Sequence, residues 1–203
     1  YVSELLKSCG LDVGHERMGQ HGISSWMFAV EDDENPWARD PLALTRKHKH
    51  FGHIIHFVRN PRTAIPSIIR ENRHAEKSYA FRRKHIMSTF GVDLDAAGSD
   101  VERAILSYLY WNKLIEGQRV DLTVRVEDAE ESALRFLKDR QLIAPECSLV
   151  APPPKNVNTD KRYQGTLPKW PVLTDSDWQE VAGDLKSEIN ESCTRYSYDP
   201  LYR

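Results

Sequence analysis

The stretch from His53 to Arg73 constrains the fold of this chain more than any other part of the sequence. It begins with an apolar run, from Ile54 to Val58, of the kind that a buried parallel strand shows. Asn60 supplies the side-chain oxygen of a helix N-cap, and Pro61 at the first helical position gives up an N–H that has no partner there. The sequence therefore predicts a strand that passes directly into a helix.

The predicted helix presents one apolar stripe, whose members recur at helical spacing: Ala64, Ile65, Ile68 and Ile69. Pro66 lies inside this helix, so we expect a kink near Ser67. Arg59 is then the last residue of the strand, and Ser67 lies in the second turn of the helix. Open α/β sheets bind anions at the carboxyl ends of strands and beside helix N-termini, so the sequence predicts an anion site here.

Arg59-Asn60-Pro61-Arg62, followed by Ser67, resembles the 3'-phosphate motif of sulfotransferases that use 3'-phosphoadenosine-5'-phosphosulfate (PAPS). In that family the strand-end Arg and the helix Ser hold the 3'-phosphate of the donor, so the resemblance implies that Arg59 and Ser67 bind PAPS. A guanidinium offers a planar fork of donors to phosphate oxygens. The alternative is an Arg59 paired with a carboxylate and an incidental Ser67, since short motifs also occur by chance.

Residues 1–9 favour a helix that ends at Gly10. In sulfotransferases the first helix follows a strand and a Gly/Ser-rich loop that holds the 5'-phosphosulfate, and this sequence opens within what resembles that helix. The first strand and the loop are therefore missing from the residues in hand. Two alternatives stay open: both precede Tyr1 in a longer chain, or the protein lacks them and does not catalyse in the manner of the family.

Gly14-His15-Glu16 resembles a segment of bacterial sulfotransferases in which a carboxylate or a histidine takes the proton from the acceptor hydroxyl. The resemblance implies Glu16 as the first choice for the general base and His15 as the second. The alternative is an ion pair between Glu16 and Arg17 or another surface cation, because structural ion pairs also perturb carboxylates.

Late in the chain, residues 155–165 resemble the basic loop that closes over the 3'-phosphate in this family. The resemblance implies that Lys161 and Arg162 also bind the donor. A flexible exposed loop is the alternative, because Pro152, Pro153 and Pro154 just before it mark an irregular connection.

Composition places few limits on function. The 203 residues, with a net charge of -2, fit a single domain over 1–203 and give no sign of nucleic-acid or membrane partners. No apolar run reaches the length of a membrane span, and no signal peptide opens the sequence. Cys9, Cys147 and Cys193 are odd in number and far apart, so we expect reduced thiols in the cytoplasm.

Two segments of the chain are rich in basic residues. His48 and His50 are interleaved with lysines that repel a cation, so we expect no metal site. The residues from Arg70 to His85 mix cations with aromatics. They favour first a helix with a solvated face, second a contact with an anionic substrate, and third single-stranded nucleic acid.

The remaining pattern is mainly helical. Residues 100–117 predict the clearest helix, residues 122–126 a strand, and residues 129–140 a further helix. Thr174 is expected to cap one final helix, which carries an apolar face at helical spacing: Trp178, Val181, Leu185 and Ile189.

The resemblance spans almost the whole chain and implies a P-loop NTPase-like three-layer α/β/α domain with a mainly parallel sheet. The implied activity is transfer of a sulfuryl group from PAPS to a hydroxyl or amine of a small-molecule or glycan acceptor, without a metal. Two rivals remain. One is a catalytically inactive nucleotide-binding module of sulfotransferase ancestry, and the other is a P-loop nucleotide-dependent phosphotransferase.

Overall fold

The structure is a computed structural model that describes residues 2–30, 51–148 and 173–202. Its contacts divide the chain into two compact units. The first unit comprises the described residues within 1–57 and 120–167, and the second those within 58–119 and 168–203. None of the described helices has the length and apolar character that crossing a membrane requires.

Short strands and longer helices make up the described residues, which form a mixed α/β structure with small parallel sheets. The three-layer arrangement of one larger sheet stays a prediction. In chain order the elements are α1 Val2–Lys7, β1 Val13–His15, β2 Gly22–Ser24, a 3-10 helix Trp26–Ala29, β3 Ile55–Val58, α2 Pro61–His74, α3 Glu76–Phe90, a 3-10 helix Leu94–Ala96, α4 Asp100–Glu116, β4 Leu122–Arg125, a 3-10 helix Val126–Asp128, α5 Ala129–Asp139, α6 Asp175–Gln179 and α7 Gly183–Arg195.

Two-stranded sheets organise the first unit. β1 pairs with β2 in parallel, with Val13 opposite Gly22 and His15 opposite Ser24. β3 pairs with β4. Asp121, just before β4, ties their starts together: its N–H donates to the Ile54 carbonyl, and its carboxylate accepts from the Ile54 N–H, both at 2.9 Å.

Helices α2, α4 and α7 build the core of the second unit. The strand-end residue Val58 joins this core, as do Ile65 of α2, Ile105 of α4 and Ile189 of α7, and each of these four side chains is almost completely buried. The apolar stripe predicted after Pro61 therefore faces a core, as its spacing indicated.

The prediction of one final helix is wrong, because two helices separated by a break take its place. Thr174 caps α6 as predicted, but α6 ends at Gln179 and α7 begins at Gly183. Within the break the N–H of Ala182 donates to the carboxylate of Glu102 at 2.8 Å rather than to a helical carbonyl. Val181 is nonetheless buried, so the apolar spacing is satisfied without a continuous helix.

The prediction of three reduced thiols is also wrong. Cys9 and Cys147, both in the first unit, form a disulfide with a Cα–Cα distance of 5.9 Å, while Cys193 is a buried thiol. A hydrophobic cluster explains the pairing, because it packs the chain on either side of Cys9 against the segment that leads to Cys147. Its members are Val2, Leu6, Leu11, Val13, Phe136, Leu137 and Ile143.

Acidic residues neutralise much of the basic segment 70–85. Arg73 pairs with Asp100, and Arg83 pairs with Asp93. Arg82, with 7% of its side chain exposed, pairs with Glu71 at 3.2 Å, whereas Arg83 next to it is exposed, so α3 combines one buried ion pair with the solvated face that the sequence favoured.

Candidate functional site

The junction between β3 and α2 forms as the sequence predicts. The Asn60 side chain accepts from the N–H of Arg62 at 2.9 Å, and Pro61 occupies the first helical position. β3 ends at Val58, one residue earlier than expected, so Arg59 lies between the strand and the N-cap. Arg59 thus stands at the helix N-terminus, where an anion is electrostatically favoured.

Arg59 is exposed, and a hydroxyl rather than a carboxylate holds it. Its Nε donates to Oγ1 of Thr63 at 3.0 Å, and that hydroxyl donates in turn to the carbonyl of Asn60 at 3.0 Å. Among the described residues, no carboxylate forms an ion pair with Arg59. The alternative of a carboxylate-paired Arg59 therefore finds no support in the described part of the chain.

Two tyrosine hydroxyls hold the backbone beneath Arg59. Tyr108 of α4 donates to the carbonyl of Arg59 at 2.9 Å, and Tyr198 donates to the carbonyl of Val58 at 3.0 Å. Both rings are buried in the core of the second unit. The backbone from which the exposed guanidinium projects is therefore fixed, although its side chain reaches the surface.

Ser67 lies one helical turn beyond Thr63, on the same face of α2. It is half-buried, and no side-chain hydrogen bond from its hydroxyl to another described residue is present. α2 continues as one helix through Pro66 and carries Ser67 in its second turn. Arg59 and Ser67 thus share one helix start within one unit.

Arg62, the second arginine of the motif, has a structural contact. Its Nη2 donates to the carbonyl of Leu201 at 3.0 Å and so ties the first turn of α2 to the tail that follows α7. Arg62 therefore has a structural contact, whereas the guanidinium of Arg59 contacts the hydroxyl of Thr63 in the first turn of α2.

Gly14 and His15 of the Gly-His-Glu segment end β1, and Glu16 begins a tight loop between β1 and β2 in the first unit. Asp12 fixes this loop: its carboxylate accepts from the N–H of Gln20, and its carbonyl accepts from the N–H of His21, both at 2.9 Å. The N–H of Asp12 donates to Nδ1 of His21, also at 2.9 Å. Sequence reasoning gave Asp12 no such role.

Glycines allow this loop to close. A Cβ on Gly14 would lie 2.0 Å from the carbonyl oxygen of Arg17, and one on Gly19 would lie 2.2 Å from that of Asp12. Because real Cβ atoms essentially never approach backbone so closely, both positions require glycine. Backbone packing at these two glycines therefore determines where the carboxylate of Glu16 can lie.

Glu16 has a left-handed backbone, with φ of 52°, which is uncommon for a residue with a side chain. Its N–H donates to the carbonyl of Ser24 at 3.2 Å, and its Oε2 accepts from the hydroxyl of Ser25 at 2.6 Å. Ser25 also caps the 3-10 helix that begins at Trp26. Such strained positions cluster at functional sites because surrounding contacts must hold them.

His15, the last residue of β1, directly precedes Glu16. Burial lowers the pKa of its imidazole below the ordinary value, and a hydrogen bond to the backbone of Ser24 acts in the opposite direction. A lowered pKa favours the neutral imidazole, which is the form that accepts a proton. Glu16 and His15 thus lie together in the first unit, while Arg59 and Ser67 lie together in the second.

Lys161 and Arg162, the remaining predicted donor-binding residues, lie outside the described residues, as do His48 and His50. In the described part of the chain no group of three potential metal ligands is found, and the expected absence of a metal stays a prediction.

A cavity of about 240 Å³ opens at the start of α4. Arg73 and Asp100 line it, but Arg59 and Ser67 do not.

Sequence reasoning missed two hydroxyls that hold the predicted side chains. Thr63 lies one helical turn from Arg59, a spacing at which side chains meet, so the sequence did contain the spacing that predicts their contact. Ser25 caps the following 3-10 helix, and its bond to Glu16 depends on the loop closing. Comparisons of this chain with protein families, with curated proteins and with solved structures give no match.

Proposed function

We propose that this chain is the body of a PAPS-dependent sulfotransferase with a P-loop NTPase-like three-layer fold. It transfers a sulfuryl group from PAPS to a hydroxyl or amine of a small-molecule or glycan acceptor. The observation that carries the proposal is the environment of Arg59. Its guanidinium is exposed at a helix N-terminus, rests on a hydroxyl rather than a carboxylate, and projects from a backbone that two buried tyrosines hold.

In the proposed reaction the acceptor oxygen or nitrogen attacks the sulfur in line. A new bond to sulfur forms while the bond between sulfur and the bridging oxygen of the 5'-phosphate breaks. The acceptor proton passes to Glu16, with His15 as the second choice, and 3'-phosphoadenosine-5'-phosphate leaves. Ser25 holds the Glu16 carboxylate through its 2.6 Å hydrogen bond.

Arg59 and Ser67 act on the 3'-phosphate, which does not react. Their contacts are equal in the ground state and the transition state, so they contribute to donor affinity more than to kcat. Lys161 and Arg162 would add to the same phosphate. Stabilisation of charge on the transferring group belongs to basic donors of a phosphosulfate loop, as in the family that the motif resembles.

Nucleotide affinity tests the proposal directly. Wild type should bind 3'-phosphoadenosine-5'-phosphate about 10- to 100-fold more tightly than adenosine 5'-phosphate, because a charge-assisted hydrogen bond contributes about 1.5–3 kcal/mol. Arg59→Ala should remove most of this ratio without lowering Tm, since the side chain is exposed. Isothermal titration calorimetry measures both affinities.

Arg135→Ala is the matched control, because it removes an exposed guanidinium that, among the described residues, pairs with Glu131 on its own helix. It should leave the nucleotide ratio unchanged. Wild type that binds both nucleotides equally would contradict the assignment of Arg59.

The two rival functions separate in an activity assay on the full expressed protein. Nucleotide discrimination without sulfuryl transfer to any acceptor in a panel of alcohols, amines and glycans favours the inactive binding module. Phosphoryl transfer that requires magnesium favours the phosphotransferase. Sulfuryl transfer that persists in a metal chelator is the result expected from the proposal.

The compartment is a separate part of the proposal. The cytoplasmic expectation depended on reduced thiols, whereas the Cys9–Cys147 disulfide is typical of proteins that mature in an oxidising environment. We therefore propose an oxidising compartment.

A further inference from the structure

We propose that Thr63 is a positioning residue of the donor site: its hydroxyl orients the Arg59 guanidinium toward the 3'-phosphate. This inference rests on the proposed function. Thr63 does not enter the motif that suggested the function, and it is the contact between the two side chains that identifies it.

The direction of each hydrogen bond at Thr63 is fixed by its neighbours. The carbonyl of Asn60 can only accept, so the Thr63 hydroxyl proton points to it, at 3.0 Å. The same oxygen then offers a lone pair to Nε of Arg59, which can only donate, at 3.0 Å. Because its proton is already committed, Thr63 acts on Arg59 rather than donating to the phosphate itself.

Holding Nε orients the whole guanidinium. The group is planar, so a bond at Nε fixes the direction of its plane and turns the opposite edge, with both Nη atoms, away from Thr63. No bond from these Nη atoms to another described residue is present. This edge is the pair of donors that binds two phosphate oxygens side by side.

The rest of the junction supports this geometry. Asn60 is the N-cap of α2, and its carbonyl accepts the hydrogen bond from the Thr63 hydroxyl. The same carbonyl also accepts from the N–H groups of Thr63 and Ala64 at 3.0 and 2.9 Å. Ser67 follows Thr63 by one turn on the same face. Thr63 therefore lies between the two predicted phosphate ligands and is itself held by the helix start.

Pre-orientation affects affinity through entropy. A long side chain that is immobilised on binding loses conformational freedom, and Thr63 removes part of this loss before the donor arrives. Without the hydroxyl, affinity for 3'-phosphoadenosine-5'-phosphate should fall by about 2- to 10-fold. Affinity for adenosine 5'-phosphate, which gives Arg59 nothing to bind, should stay the same.

Thr63→Val and Thr63→Ser test the inference by calorimetry with both nucleotides. Valine keeps the shape and loses the hydroxyl, whereas serine keeps the hydroxyl, so the valine variant should lose affinity and the serine variant should retain it. Thr63→Val in the Arg59→Ala background should cost nothing further, because the residue acts only through Arg59.

The possible outcomes are distinct. A Thr63→Val protein that keeps the wild-type nucleotide ratio overturns the inference and leaves the proposed function intact. Equal loss of affinity for both nucleotides, with a lower Tm, shows a merely structural Thr63 and also overturns it. Wild type without any preference for the 3'-phosphate overturns the proposed function, and the inference with it.

Discussion

Glu16 and Arg59, the two residues on which the proposed reaction depends most, are held in opposite ways. Glu16 is half-buried in a loop that backbone hydrogen bonds and two obligatory glycines close, and its own backbone is left-handed. Arg59 projects from an anchored strand end into solvent, and one side-chain hydrogen bond orients it. Chemistry that moves a proton needs a rigid donor–acceptor geometry, whereas a phosphate ligand needs only a directed charge.

The comparison also predicts how each region responds to change. Substitutions around Glu16 disturb the loop as well as the chemistry, so stability and activity fall together. Substitutions at Arg59 or Thr63 leave the core untouched and change affinity alone. The first unit should therefore be the sensitive part of the molecule, and the following predictions test this from the largest expected effect to the smallest.

Loss of the disulfide should have the largest effect. Cys9→Ser with Cys147→Ser should lower the free energy of unfolding by about 2–5 kcal/mol, because the cross-link spans a sequence separation of 138 residues and restricts the unfolded chain. Denaturant unfolding measures the loss, and hydrogen exchange should show it in the Glu16 loop before the Arg59 junction. Alkylation of the denatured, unreduced protein should label Cys193 alone; labelling of all three cysteines would contradict the pairing.

Removal of the Ser25 hydroxyl should have an intermediate effect. Ser25→Ala should lower stability by about 1 kcal/mol through loss of the helix cap, and should also lower kcat because the Glu16 carboxylate loses its 2.6 Å partner. Steady-state kinetics separates kcat from the donor KM, which should not change.

Ser99→Ala is the matched control for Ser25→Ala, since Ser99 caps α4 in the second unit by accepting from the N–H of Glu102. It should cost similar stability and leave kcat unchanged. If both serine variants affect kcat equally, Ser25 acts only through the fold.

The smallest expected effect concerns pH. The N–H of Ile54 and nearby His53 hold the pKa of the Asp121 carboxyl below its ordinary value. A folded pKa below the unfolded one means that the stabilisation is present above the unfolded value, 3.8, and is lost as the pH falls through the folded value. Asp121→Asn should thus be less stable than wild type at pH 7, and the difference in stability should shrink as the pH falls through the folded value of Asp121.

Asp93 in the second unit provides the comparison for Asp121. Its pKa is lowered first by the Arg83 guanidinium, an exposed ion pair that salt screens, whereas the main partner of Asp121 is an uncharged backbone N–H. High salt should therefore reduce the effect of Asp93→Asn more than that of Asp121→Asn. Urea unfolding at low and high salt measures both differences, and an equal response would remove the distinction between the two carboxyls.

Local signals in the sequence predicted the junction well and the distant contacts poorly. Asn60 and Pro61 placed the start of α2, because capping is decided within a few residues. The break before α7 was hidden, since Val181 keeps the apolar spacing while Glu102, far away in the chain, takes the N–H of Ala182.

The disulfide and the loop around Glu16 were hidden for a similar reason. Pairing of Cys9 with Cys147 depends on a hydrophobic cluster that only the folded unit assembles. The left-handed backbone of Glu16 follows from loop closure rather than from its residue type, because glutamate alone favours other conformations. The helical spacing of Arg59 and Thr63 was sufficient to predict their contact. The motif did not include Thr63, because Thr63 lies between the motif positions.

The hydroxyl of Tyr198 on the carbonyl of Val58 joins positions 140 residues apart. During synthesis the strand end leaves the ribosome long before this tyrosine does, and at about 5–20 residues per second the interval is about 7–30 s. The backbone that aims Arg59 is therefore completed only after Tyr198 has been synthesised, so a nascent chain must wait for this second anchor before the phosphate ligand acquires its final direction.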